Sequence, residues 1–113
     1  MSVSAQVNDQ VIRKNLVHAN DKDTFKSEVL DASKNVLVVV DFYADWCPPC
    51  KMLSPIIESL SKKEFGGQVK FVKVDVDLNG LVAYEYKIMS IPTLLFFKEG
   101  LVIETVVGFR NEE

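Results

Sequence analysis

The chain has 113 residues, 48% of them apolar and 26% charged, with 13 basic and 16 acidic side chains and a net charge of -3. That length closes one core and lacks the apolar material for a second, and the balance is that of an ordinary globular chain. Acids and bases are mixed, which leaves no basic stripe for a phosphate backbone and argues against nucleic acid as a partner. The longest apolar run, residues 36–40, is interrupted by Asp41 and falls far short of the roughly 20 residues a membrane-spanning helix requires.

Residues 1–10 have neither a basic opening nor an apolar stretch of secretory type. No signal peptide is expected, and the default compartment is reducing: cytoplasmic, or an organellar matrix if residues 1–14 are a targeting remnant. Residues 1–14 read as an irregular extension and 15–113 as the folded domain, with Val17 starting a short edge strand. Residues 21–33 (DKDTFKSEVLDAS) place Phe25, Val29 and Leu30 on one side at helical spacing behind an acidic, hydrogen-bonding start. Then VLVVVDFYA is β-branched and apolar on both faces, the pattern of a central strand between two layers of helix.

After Trp46 the chain turns. Residues 47–63 gather Met52, Leu53, Ile56, Ile57 and Leu60 on one face of a long second helix. Pro48 and Pro49 fit its first turn, where a missing N–H costs little; Pro55 lies inside it and should kink it by removing one ladder bond. Gly66-Gly67 ends the segment. VKFVKVDV is a second inner strand, LVAYEY a short third helix, and TLLFF with LVIETVV a hairpin around Lys98-Glu99-Gly100. This order predicts an α/β domain, a central mixed sheet with helices on both faces. At the end, Asn111 would cap a last helix and Glu112-Glu113 would favour its positive end, so that helix begins and is then missing or truncated.

The chemistry concentrates in Asp41-Phe42-Tyr43-Ala44-Asp45-Trp46-Cys47-Pro48-Pro49-Cys50-Lys51, where a buried strand passes into a helix. In a reducing compartment two cysteines at this spacing are not expected to be a structural staple. A thiol at a helix N-terminus meets free backbone N–H groups and the positive end of the helix dipole, and both favour thiolate. Cys47 is therefore the expected nucleophile, open to solvent. Cys50, one turn inward and better shielded, is the expected resolving thiol. Asp41, a carboxylate in an otherwise apolar strand, is placed to accept the Cys50 proton, with burial raising its pKa toward the useful range. Taken alone, Asp41 would read as a strand-end carboxylate bonded to local backbone. By spacing alone the cysteines also read as small buried hydrophobes or half of a zinc site. Zinc is short of ligands: there is no second cysteine pair, and the single histidine, His18, lies in a polar segment and reads as an exposed surface residue. There is no glycine-rich nucleotide loop of the G-x-G-x-x-G type, so no cofactor is expected to bind.

Several blocks in order, VVVDFYADWCPPCK, Pro55, VKFVKVDVD, YKIMSIPTLLFFKEG and VVGF, resemble the thioredoxin family over most of the chain. The resemblance implies the thioredoxin fold and a protein-disulfide reductase whose redox group is the Cys47/Cys50 pair. It implies electrons drawn from NADPH through a flavin-dependent thioredoxin reductase, and disulfide-containing client proteins as the other partners. It carries over Cys47, Cys50 and Asp41, with Lys73 as the ion-pair neighbour of Asp41; otherwise Lys73 would read as a solvated strand charge. Ile91-Pro92-Thr93 resembles the family's cis-proline loop, which faces the dithiol and exposes backbone to an extended substrate. Trp46, Ile91, Val107 and Gly108 match an apolar docking surface around the nucleophile, with Pro48 and Pro49 between the cysteines.

Two departures stand out. Pro48 replaces the family's usual glycine, removes a donor near the thiolates and leaves the redox potential open; a tenfold change in equilibrium needs only about 30 mV. Thioredoxins close with a helix of which this sequence is expected to carry only the first residues. Either the chain is shortened or a second copy covers the sheet face, which keeps both a monomer and a weak dimer open. The competing functions are a disulfide oxidant or isomerase, a non-catalytic thioredoxin-like binding module, and a metal carrier sharing the cysteines across a dimer.

Overall fold

A computed structural model describes residues 16–63 and 68–108. The strands are Leu16–His18 (β1), Leu37–Tyr43 (β2), Val69–Asp75 (β3), Thr93–Lys98 (β4) and Leu101–Val107 (β5). The helical segments are residues 22–34 (α1), Pro48–Lys62 (α2) and Gly80–Glu85 (α3). One mixed sheet results, ordered β1-β3-β2-β4-β5, with β1, β3 and β2 parallel and β4 and β5 antiparallel. β2, apolar on both faces in the sequence, lies at the centre as expected.

Its alternating side chains divide the core. Val38, Val40 and Phe42 join Val72, Val74, Leu95 and Phe97 beneath Phe25 and Val29 of α1 and Val82 of α3. Val39 points the other way and packs with Phe71 against Leu53 and Ile57 of α2. Each such side chain contributes on the order of 1.5–3 kcal/mol when fully buried, which fixes the register of both helix layers.

α1 starts where the sequence places it: the Asp21 carboxylate accepts the Thr24 N–H at 2.7 Å and the Thr24 hydroxyl at 2.9 Å. It is not uniform, however. An α-helical turn, Lys22–Phe25, widens into a π-helical segment, Lys26–Asp31, and tightens into a 3-10 turn, Ala32–Lys34. The hairpin between β4 and β5 closes through Glu99 and Gly100, both at positive φ (52° and 79°), with Lys98 opposite Leu101. This is a two-residue turn whose backbone follows the sheet's twist. Ser33 ties the turn to the end of α1, its carbonyl accepting from Glu99 N–H at 2.7 Å and its hydroxyl from Gly100 N–H at 2.8 Å. The irregular extension over 1–14, Gly66-Gly67 and the helix expected from Asn111 lie outside the described residues.

Candidate active site

Cys47 is the N-cap of α2. Its backbone is extended (φ −94°, ψ 110°) and its sulfur accepts the Cys50 N–H at 3.2 Å. Pro48 and Pro49 fill the first helical positions, which need no N–H, so Cys50 supplies the backbone donor to this sulfur. The helical turn sets the two Cα atoms 5.2 Å apart, within disulfide reach, and the sulfurs are bonded as Cys47–Cys50.

Other predicted residues converge on this bond from distant parts of the chain. The Ile91–Pro92 peptide is cis, and the Ile91 carbonyl oxygen lies 3.8 Å from Cys47 Sγ. Gly108 N–H donates to the Pro92 carbonyl at 2.8 Å, and Val107 is paired with Thr93, so the end of β5 sits beside the proline loop. Trp46 is 67% exposed, with its indole N–H donating to Asp77 Oδ2 at 2.9 Å. The prolines between the cysteines are exposed.

One expectation is corrected. The sequence predicts an open Cys47 and a shielded Cys50, yet in this oxidised form each is 3% exposed. The Cys47 sulfur caps the first turn of α2 beside the Ile91 carbonyl. There it packs with Tyr43, Ala44, Val76 and Ile91.

A polar row crosses the sheet, with His18 paired to Lys73 and Lys73 to Asp41 across β1, β3 and β2. Asp41 is 2% exposed and its Oδ1 has no hydrogen-bond partner. Burial pushes its carboxyl up to about 6, against the opposing pull of the Lys73 charge. Lys73, 6% exposed, is not a solvated strand charge. Its ammonium donates to Ser54 Oγ at 2.8 Å and lies 4.3 Å from the centre of the Tyr43 ring. A cavity of about 90 Å³ is lined by Cys50, Ser54, Lys73, Tyr43, Asp45 and Lys51. His18 is exposed, as expected, and its imidazole pKa is lowered by partial burial and then by Lys73, against Glu58. Among the described residues no cluster of three or more His, Cys, Asp or Glu side chains could hold a metal ion, and no helix is long and apolar enough to cross a membrane.

Two residues of this region escape the sequence reading. Ser54 carries a findable signal, standing four residues after Cys50 and hence on the same helix face. Asp77 carries none, because its bond to Trp46 joins a turn to a loop 31 residues away.

A dithiol–disulfide couple seated where the central strand of a mixed sheet enters a helix defines a thiol-disulfide oxidoreductase. The family model Thioredoxin matches residues 16–113. The chain is 49% identical over 92 residues to thioredoxin of Bacillus subtilis, covering 81% of this chain and 86% of that one. To thioredoxin 1 of Synechococcus elongatus it is 44% identical over 108 residues, covering 96% and 86%. The structure of Malassezia sympodialis thioredoxin superposes with a TM-score of 0.78 at 42% identity, covering 87% of this chain and 83% of that one. The chain belongs to the thioredoxin family. It has the thioredoxin fold and is a disulfide reductase of thioredoxin type, with the Cys47–Cys50 disulfide as its redox group.

Proposed function

We propose that this reductase works by division of labour among four side chains. Thiolate Cys47 attacks a client disulfide and forms a mixed disulfide; Cys50, its proton taken by Asp41, then attacks Cys47 Sγ and expels the client sulfur as thiolate. Burial holds the Asp41 carboxyl up at about 6, and the nearby Lys73 charge pulls against it. The observation that carries this reading is the junction of β2 and α2, where a helix-capping sulfur follows a strand that carries a buried carboxylate whose Oδ1 has no hydrogen-bond partner. Trp46, Pro48, Pro49, Ile91, Pro92, Val107 and Gly108 form the surface on which an extended client segment docks, the Ile91 carbonyl beside Cys47 being its backbone anchor.

The oxidised pair is recharged by protein-to-protein exchange with a flavin-dependent thioredoxin reductase drawing on NADPH, in a reducing compartment, cytoplasmic or an organellar matrix. The family supports that reading. An insulin-reduction assay with dithiothreitol tests it. The chain should accelerate reduction well beyond dithiothreitol alone; Cys47→Ser should abolish the acceleration, and Cys50→Ser should trap client as mixed disulfide. Equal trapping by both variants would refute the assigned roles, and no acceleration by the parent chain would refute the activity.

A further inference from the structure

We propose that Ser54 is a positioning residue for disulfide exchange: its hydroxyl holds the Lys73 ammonium against the Tyr43 ring rather than against Asp41, leaving the buried carboxyl free to exchange the Cys50 proton. The inference rests on the reading of Asp41 as proton acceptor. Lys73 and Asp41 are direct register partners on neighbouring strands, both almost fully buried. Opposite charges so placed, with water excluded, are expected to close into an ion pair.

They do not. The Lys73 ammonium, which has three donors and no acceptor, is bonded to Ser54 Oγ at 2.8 Å and held over the Tyr43 ring, while Asp41 Oδ1 is left without a partner. Ser54 stands one turn along α2 from Cys50, and hydroxyl, ammonium and resolving cysteine line the same small cavity. The other ionisable groups around the pair are Tyr43 on β2, Asp45 in the loop after it, Asp75 on β3, and Lys51 on α2. On the β1 side stand His18 and, behind it, Glu58 of α2. Burial is the larger influence on the Asp41 carboxyl, and of all these charges Lys73 is the one that acts appreciably on it, so where Lys73 is tethered sets how far the effect of burial is offset.

The chemistry depends on this. In the resolving step the Asp41 carboxylate takes the proton of the Cys50 thiol. The Cys50 electron pair then forms the bond to Cys47 Sγ as the Cys47–client bond breaks, and the client sulfur leaves with that bond's electrons. A carboxylate held near 6 by burial is a competent acceptor. One closed onto Lys73 would be a weaker base, its charge already neutralised.

The test follows the Asp41 carboxyl directly, by carbon NMR titration of the full chain in oxidised and reduced forms, together with the pH profile of insulin reduction. In Ser54→Ala the ammonium loses its acceptor and closes on Asp41 Oδ1; the Asp41 midpoint should fall by about one pH unit or more, and the acid limb of the profile should move with it. Ser54→Thr keeps the hydroxyl and should keep both. A midpoint that stays or rises in Ser54→Ala, or falls as far in Ser54→Thr, overturns the proposal. Failure of the acceptor reading itself shows separately, as unchanged turnover in Asp41→Asn.

Discussion

The two faces of β2 do different work with the same backbone. Toward α1 and α3, Val38, Val40 and Phe42 enter an unbroken apolar cluster in which the rings of Phe25, Tyr86 and Phe97 meet with centroids 5.4–5.9 Å apart. Toward α2, Val39 is followed by Asp41, with Lys73 and His18 continuing the row and Ser54 above it. The first face makes the fold stable. The second gives up stability to hold a carboxyl whose affinity for protons suits exchange chemistry, since a charge buried without full satisfaction costs free energy.

Three substitutions sharpen that contrast. Phe97→Ala, on the apolar face, removes a fully buried ring and two edge-to-face contacts. It should destabilise the oxidised chain by about 3–5 kcal/mol in denaturant unfolding, yet leave the pH profile of insulin reduction where it was. A shifted profile would mean that the two faces are not separable.

Asp41→Asn, on the polar face, should do the reverse: slow turnover and add stability. The carboxyl is held up at about 6 against an ordinary 3.8, so the folded state binds the proton more tightly than the unfolded chain. Its stabilising contribution is full below about pH 4 and is lost as pH rises through 6. At pH 7 the asparagine variant should therefore be more stable by about 2–3 kcal/mol, with the difference vanishing near pH 4. A gain independent of pH would contradict the assignment. The smallest effect is expected from Asp77→Ala, which frees the Trp46 indole at the surface. Unfolding should change by less than about 1 kcal/mol, while KM for a protein client should rise and kcat hold, because the docking surface is loosened and the sulfurs are untouched.

Much of this molecule is legible in the amino-acid order, and the reason is periodicity. β2 announces a two-sided strand, α2 a one-sided helix, and the hairpin a turn around Lys98-Glu99-Gly100, since each obeys a local rule; the structure keeps Lys98 in β4 and turns at Glu99 and Gly100. Asp41 stands out for the same reason, as a carboxylate where the pattern demands an apolar residue. The widening of α1 into a π-helical segment has no such local marker. Nor does the bond from Lys73 to Ser54, which needs β3 and α2 to be packed before it exists. The positions of Ile91, Pro92, Val107 and Gly108 relative to the cysteines were implied by family resemblance, not by any rule of spacing. The near-complete covering of Cys47 escaped prediction because it depends on Ile91, which the sequence places 44 residues away.

The central claim, that Cys47 is the ionised and attacking sulfur, is met most directly by alkylating the reduced chain with iodoacetamide across pH and following each cysteine separately by peptide mass spectrometry. Cys47 should react at neutral pH, with a midpoint below the ordinary thiol value of about 8.5, and Cys50 should stay unmodified over the same interval. Equal rates at the two sulfurs, or a Cys47 inert until the pH passes that ordinary value, would contradict the account.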